Sequence, residues 1–118
     1  MPQPHEHLVA WRRADDLFIA VHKLTARSFP RSEQFLLTSQ MRRAAYSVPA
    51  NIVEGCARRS PKGKAHFLNV AEASLAEVGY CLHAAKRLGY VDEATYSTLD
   101  LQVRQTAAPL VGLIRSVH

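Results

Sequence analysis

Apolar residues recur in steps of three and four along most of the chain. Trp11, Ala14, Phe18, Val21 and Thr25 form a first stripe, widened by Leu17 and Leu24. Arg12, Arg13, Asp15, Asp16 and Lys23 lie mostly outside it. This spacing turns one face of an α-helix inward. Pro30 disfavours helical backbone at Phe29, so the helix should stop near Ser28. A second stripe, Leu37, Met41, Ala44, Val48, Ile52 and Gly55, follows Ser32, a candidate N-cap. Pro49 sits inside it and removes the hydrogen bond to the Ala45 carbonyl, at about 3 kcal/mol in a straight helix. One kinked helix and two separate helices both fit. The apolar phase holds across Pro49, which favours the kinked helix, ending between Gly55 and Arg59.

Ser60-Pro61 pairs a capping hydroxyl with proline at the first helical position. The third stripe is the clearest: Leu68, Ala71, Leu75, Val78, Leu82 and Ala85, flanked by Phe67, Ser74 and Cys81. Lys86 and Arg87 suit the negative end of that helix, and Gly89 suits the position just past it. Asp92 caps a fourth helix, with Glu93 in its first turn. Its stripe is Tyr96, Leu99, Val103, Thr106, Leu110, Leu113 and Val117, and Pro109 should bend it. No strand pattern, repeat or low-complexity tract appears.

Four amphipathic segments joined by short loops predict an all-α fold, an antiparallel up-down-up-down four-helix bundle with helices 2 and 4 kinked at Pro49 and Pro109. Residues 1–7 are polar and hold two prolines, so a flexible arm is expected there, with one domain over 8–118. Ile19, Val70, Tyr80, Val91, Leu101 and Val111 lie off the main stripes. So many surplus apolar residues on a small bundle point to self-association.

At 118 residues the chain is one domain by size, able to bury a core without metals or disulfides. No apolar run is long enough to span a bilayer and no signal peptide is visible, so the cytoplasm is the expected compartment. Cys56 and Cys81, 25 positions apart, are expected as reduced, packed thiols, with a disulfide left open.

Charge changes the picture more. The formal net charge is +5. Arg42, Arg43, Arg58, Arg59, Lys62 and Lys64 against Glu54 account for all of it; the other nine basic and nine acidic residues cancel. Such concentration suggests an anionic partner. The free N–H groups at the start of the third helix would add to that attraction. Phosphate contacts are therefore expected at Arg43, Arg58, Arg59, Lys62 and Lys64. Arg42, Asn51, Glu54 and Glu77 are expected in structural polar or ion-pair roles. The competing reading has the arginines pairing with Glu54, Glu72 or Glu77 and stitching helices together. No aromatic cluster accompanies the charges, so backbone electrostatics rather than base stacking would carry the binding.

Catalytic and cofactor chemistry finds little footing. A di-iron bundle needs Glu-x-x-His on two helices, but Glu54, Glu72 and Glu77 are followed three positions later by Ala57, Leu75 and Tyr80. No phosphate-cradling glycine loop occurs. His5-Glu6-His7 reads as a solvated tail rather than a metal site. Glu54, Glu77, Tyr80 and His83 could line a pocket, yet amphipathic packing already explains them. No catalytic residue, metal or cofactor is expected.

The run from Leu37-Thr38-Ser39-Gln40-Met41-Arg42-Arg43-Ala44-Ala45 through Ser47-Val48-Pro49-Ala50-Asn51-Ile52 to Glu54-Gly55, then Arg58-Arg59-Ser60, resembles the four-helix bundle proteins encoded in intervening sequences of bacterial 23S rRNA genes. Phe67-Leu68-Asn69, Ser74-Leu75-Ala76-Glu77 and Ala85-Lys86-Arg87-Leu88-Gly89-Tyr90 extend the likeness. The resemblance implies a homopentamer. It also implies a relation to the accessory variability determinant proteins of diversity-generating retroelements, which look like basic pentamers that bind nucleic acid and a reverse transcriptase. The positions carried over are Arg42, Arg43, Asn51, Glu54, Arg58 and Arg59. One departure is Gly63, where Glu would complete a capping box with Ser60, so the start of helix 3 could fray. Charge and resemblance together predict a non-enzymatic homo-oligomer that binds nucleic acid, structured RNA foremost. A protein-interaction scaffold without a nucleic-acid role is the alternative.

Overall fold

Each apolar stripe becomes the buried edge of a helix. In the computed structural model, which describes residues 3–117, the helices are α1 (Val9–Ser28), α2 (Leu37–Ala57), α3 (Pro61–Arg87) and α4 (Glu93–Ser116). The core is built from the expected residues: Ala14, Leu17, Val21 and Leu24 of α1, Met41, Val48 and Ile52 of α2, Leu68, Leu75, Val78 and Leu82 of α3, and Leu99 and Leu110 of α4. Each helix packs on its neighbours in sequence and α4 closes the ring on α1, while the diagonal pairs do not approach closely. The body measures 43 × 27 × 25 Å. Its long axis matches the 27 residues of α3, about 40 Å at 1.5 Å per residue.

Register fixes the direction of each helix. Ser47 meets Ser74, and further along α2 Gly55 faces Leu68, earlier in α3. Arg42 reaches back to Thr25, whereas Tyr46 meets Phe18. Lys86 meets Glu93, and Gly79 lies nearest Val103. Neighbours in sequence therefore run antiparallel, up-down-up-down, and no strand occurs among the described residues. Both α2 and α4 continue unbroken through Pro49 and Pro109, so the single-helix reading of the second segment holds.

Capping explains most boundaries. Ser60 Oγ accepts from Gly63 N–H at 3.0 Å, and Asp92 Oδ1 accepts from Thr95 N–H at 2.7 Å. At the end of α3, Gly89 N–H donates to the Lys86 carbonyl and Tyr90 N–H to the Ala85 carbonyl, with Gly89 at φ 81°. This pair of bonds needs a left-handed residue, which glycine supplies without steric strain.

Two expectations, the cap of α2 and the surface position of Val91, are corrected. Ser32 does not cap α2; it lies in a short 3-10 turn, Arg31–Glu33. Glu33 takes the capping task instead: its Oε1 accepts from Leu37 N–H at 3.3 Å and its Oε2 from the Tyr90 hydroxyl at 2.7 Å. Pro4–His7, within the segment expected as an arm, forms a 3-10 turn, with His5 against Trp11 and Arg12 donating to the His7 carbonyl. Residues 1, 2 and 118, within the boundaries expected from sequence, lie outside the described residues. Val91, expected as surplus surface, is buried in the core, whereas Ile19, Tyr80 and Leu101 are exposed.

Candidate functional site

The antiparallel packing divides the basic segment. Arg58, Arg59, Lys62 and Lys64 gather where the three-residue turn 58–60 joins α2 to α3. Arg42 and Arg43 sit early in α2, with Arg43 fifteen residues before Arg58, about 22 Å of helix. Arg42 reaches the C-terminal part of α1, near the opposite end of the bundle. A cluster in sequence is thus two groups in space. At the α2–α3 turn, four basic residues against Glu54 leave +3.

Within that turn the four cations differ. Arg58 donates to Glu54 Oε2 at 3.0 Å, both side chains about half exposed at 48% and 52%, and its guanidinium lies 4.5 Å above the Phe67 ring. Exposed pairs of this kind hold a side chain in place more than they stabilise the fold. Lys64 is half-buried, with Nζ 3.4 Å from the Cys56 carbonyl at the end of α2. Arg59 and Lys62 are exposed, and among the described residues neither has an ion-pair partner. Arg43 is likewise exposed and unpaired.

The expected N–H cradle at the start of α3 is largely used up. Pro61 has no N–H, Gly63 N–H is taken by Ser60 Oγ, and Lys64 N–H by the Ser60 carbonyl. Only Lys62 N–H in that turn is left over, so side chains rather than backbone dominate the positive charge here. Gly63 also has a local reason. A Cβ there would stand 3.1 Å from Ser60 Oγ and 3.2 Å from Arg58 Cβ, so glycine suits this cap, and helix 3 runs from Pro61.

The remaining singled-out residues are placed as follows. Among the described residues Arg42 pairs with no acid: its Nε donates to Thr25 Oγ1 at 2.7 Å and Nη2 to the His22 carbonyl at 3.4 Å, tying α2 to α1. Asn51 Nδ2 donates to the Ser47 carbonyl and Oγ, each at 2.8 Å, and Ser74 donates to that same Oγ at 2.8 Å, which links α2 to α3. Glu54 pairs with Arg58 alone, while Glu77 is exposed and forms no ion pair among the described residues. Sequence reasoning missed Phe67 as the platform for Arg58. It also missed Thr25 as the acceptor for Arg42, although a threonine on a core stripe was a signal that its hydroxyl needed a partner.

The residues weighed for catalysis do not converge. Tyr80 and His83 lie beside Arg87 and Leu88 on the outer face of α3, whereas Glu54 lines a separate groove between α1 and α2. Among the described residues no group of three or more His, Cys, Asp or Glu is placed to hold a metal ion. Cys56 and Cys81 are both free thiols. Burial raises both pKa values; Lys64 partly offsets this at Cys56, and Glu77 adds to it at Cys81. Among the described residues no helix is long and apolar enough to cross a membrane.

Comparison with known proteins returns the same architecture. A crystal structure of a protein of unknown function from the S23 ribosomal protein family of Bacteroides thetaiotaomicron superposes with a TM-score of 0.84 at 20% identity, covering 91% of this chain and 96% of that chain. At that identity the likeness concerns the fold. No curated protein matches the sequence. The family described as 23S rRNA-intervening sequence protein matches residues 6–112, nearly the whole bundle, and the chain belongs to that family.

Proposed function

We propose that this chain is a non-enzymatic, homo-oligomeric nucleic-acid-binding protein that holds structured RNA through phosphate contacts at the α2–α3 turn. The observation that carries the reading is the pair Arg59 and Lys62, exposed and without ion-pair partners beside the held side chain of Arg58. The family's description names a ribosomal RNA intervening sequence, which makes RNA the first polyanion to test. Self-assembly into a pentamer, the arrangement its resemblance implies, would repeat the turn around an axis and multiply weak contacts. Relation to the accessory variability determinant proteins belongs to the same proposal.

Arg43 stands about 22 Å from this turn, so it contributes only to an RNA long enough to lie along α2. Binding to a short RNA hairpin, followed by fluorescence anisotropy across a salt series, tests the reading. Arg59→Ala with Lys62→Ala should weaken binding sharply and lower the salt slope by about two. Arg43→Ala should leave a short hairpin nearly unaffected. Salt-independent binding, or full affinity in the double variant, overturns the proposal.

A second reading rests on the other end of the bundle, where Phe35 is 85% exposed beside exposed Leu36, with exposed Leu88 across the end. Those residues suit a protein partner, as expected of a scaffold. A purified complex that survives nuclease but is lost in Phe35→Ser favours this reading.

A further inference from the structure

An open groove between α1 and α2, about 340 Å³ in volume, is lined by Trp11, Asp15, Phe18, Tyr46, Pro49 and Glu54 among others. We infer that it is a binding site for an organic cation, an alkylammonium or guanidinium group. Three aromatic rings and two carboxylates in one concavity are the chemistry such a group requires. Ring faces attract a cation electrostatically, and a nearby carboxylate supplies the counter-charge.

The arrangement suits that task. Phe18 and Tyr46 meet nearly at right angles, with centroids 5.9 Å apart and planes at 69°, so together they make a corner. Tyr46 is 60% exposed although α1 lies beside it, leaving much of its ring unused by the core. Trp11 is fixed from one side by His5, with ring centroids 4.7 Å apart. Asp15 lies one helical turn from both Trp11 and Phe18, is half-buried, and has no ion-pair partner among the described residues. Glu54 is already held by Arg58, so Asp15 supplies the uncommitted charge. In a chain with a net charge of +5, a groove that gathers carboxylates and aromatic faces selects against phosphate and for cations. The site is therefore distinct in chemistry from the basic turn.

Trp11 is the sole tryptophan, so its emission reports directly on the groove. Tetramethylammonium chloride should change that emission saturably, while sodium chloride at equal ionic strength and the uncharged isostere tert-butanol should not. Tyr46→Ala and Asp15→Asn should each weaken the response about tenfold, and Tyr46→Phe should keep it, because the ring rather than the hydroxyl binds. Circular dichroism shows whether each variant keeps its helices. A response shared by tert-butanol, or one unchanged in folded Tyr46→Ala, overturns the inference.

Dilution separates the two sources of the cation. Trp11 emission that shifts as a multimer dissociates identifies an arginine or lysine of a second copy as the occupant. A response to tetramethylammonium that is independent of protein concentration identifies a diffusible cation. Neither a saturable response nor a dilution-dependent shift would leave the groove without a cation, and the inference would fall.

Discussion

Thr25 shows how one buried polar atom can organise two helices. Its hydroxyl donates to the Val21 carbonyl at 3.0 Å and accepts from Arg42 Nε at 2.7 Å. The arginine thus satisfies a hydroxyl that packing has removed from water. Thr25→Val should destabilise the fold by about 1–3 kcal/mol, since the guanidinium loses its acceptor, measurable by urea denaturation. The cysteines give a second test at this scale. Because their pKa values are raised, the thiolate is scarcer at neutral pH, and alkylation by iodoacetamide should be slower than for a free thiol. The rate should climb as pH rises through each elevated pKa, with buried Cys81 slower than half-buried Cys56. Fast alkylation of Cys81 at neutral pH in the native protein would contradict its burial.

Between elements, α2 and α3 approach closely at residue 55, which has no side chain. A Cβ at Gly55 would sit 3.3 Å from Leu68 and 3.4 Å from the Lys64 carbonyl. Gly55→Val should therefore overpack this seam and lower stability by about 1–3 kcal/mol, visible as a fall in Tm. The seam also positions the basic turn, because Arg58 lies over Phe67 just beyond it. Ser60→Ala should cost about 1 kcal/mol by freeing Gly63 N–H at the start of α3. If both variants melt like the parent, the packing and cap described here are not stabilising that junction. The periodicity of α3 was legible in the sequence to within a residue at either end, since its cap, its apolar stripe and Gly89 are all local signals. The start of α2 was not. Ser32 has the right chemistry for a cap, but Glu33 is engaged by Tyr90, 57 positions away, and no local pattern encodes that partner.

For the whole molecule, assembly state and charge meet. Ile19, Tyr46, Tyr80 and Leu101 remain exposed on the sides of the bundle, and Phe35, Leu36 and Leu88 at one end. A pentamer would have a mass of about 66 kDa, five times 13.2 kDa, readable by gel-filtration light scattering. If nucleic acid binds the turn, protein purified without nuclease should carry a raised 260 nm absorbance at low salt and lose it at high salt. A clean monomer under both conditions would contradict both parts of the proposed function.

Helix number, the four core stripes, the caps at Ser60 and Asp92 and the stop at Gly89 were determined by the sequence alone, because each depends on residues within a turn or two of one another. Neighbouring helices run antiparallel for a reason also present in the sequence, the short connections between long helices. Tertiary structure alone decided which charges are neighbours. Fifteen residues of rigid helix carry Arg43 away from Arg58, so adjacency along the chain did not survive folding. It also decided which cations are already engaged, Arg42 by Thr25, Arg58 by Glu54 and Phe67, and Lys64 by the Cys56 carbonyl, leaving Arg59 and Lys62 at the turn and Arg43 apart from them on α2. The groove of Trp11, Asp15, Phe18 and Tyr46 belongs to the same class. Its walls come from two helices, and their side chains share one concavity only after those helices pack.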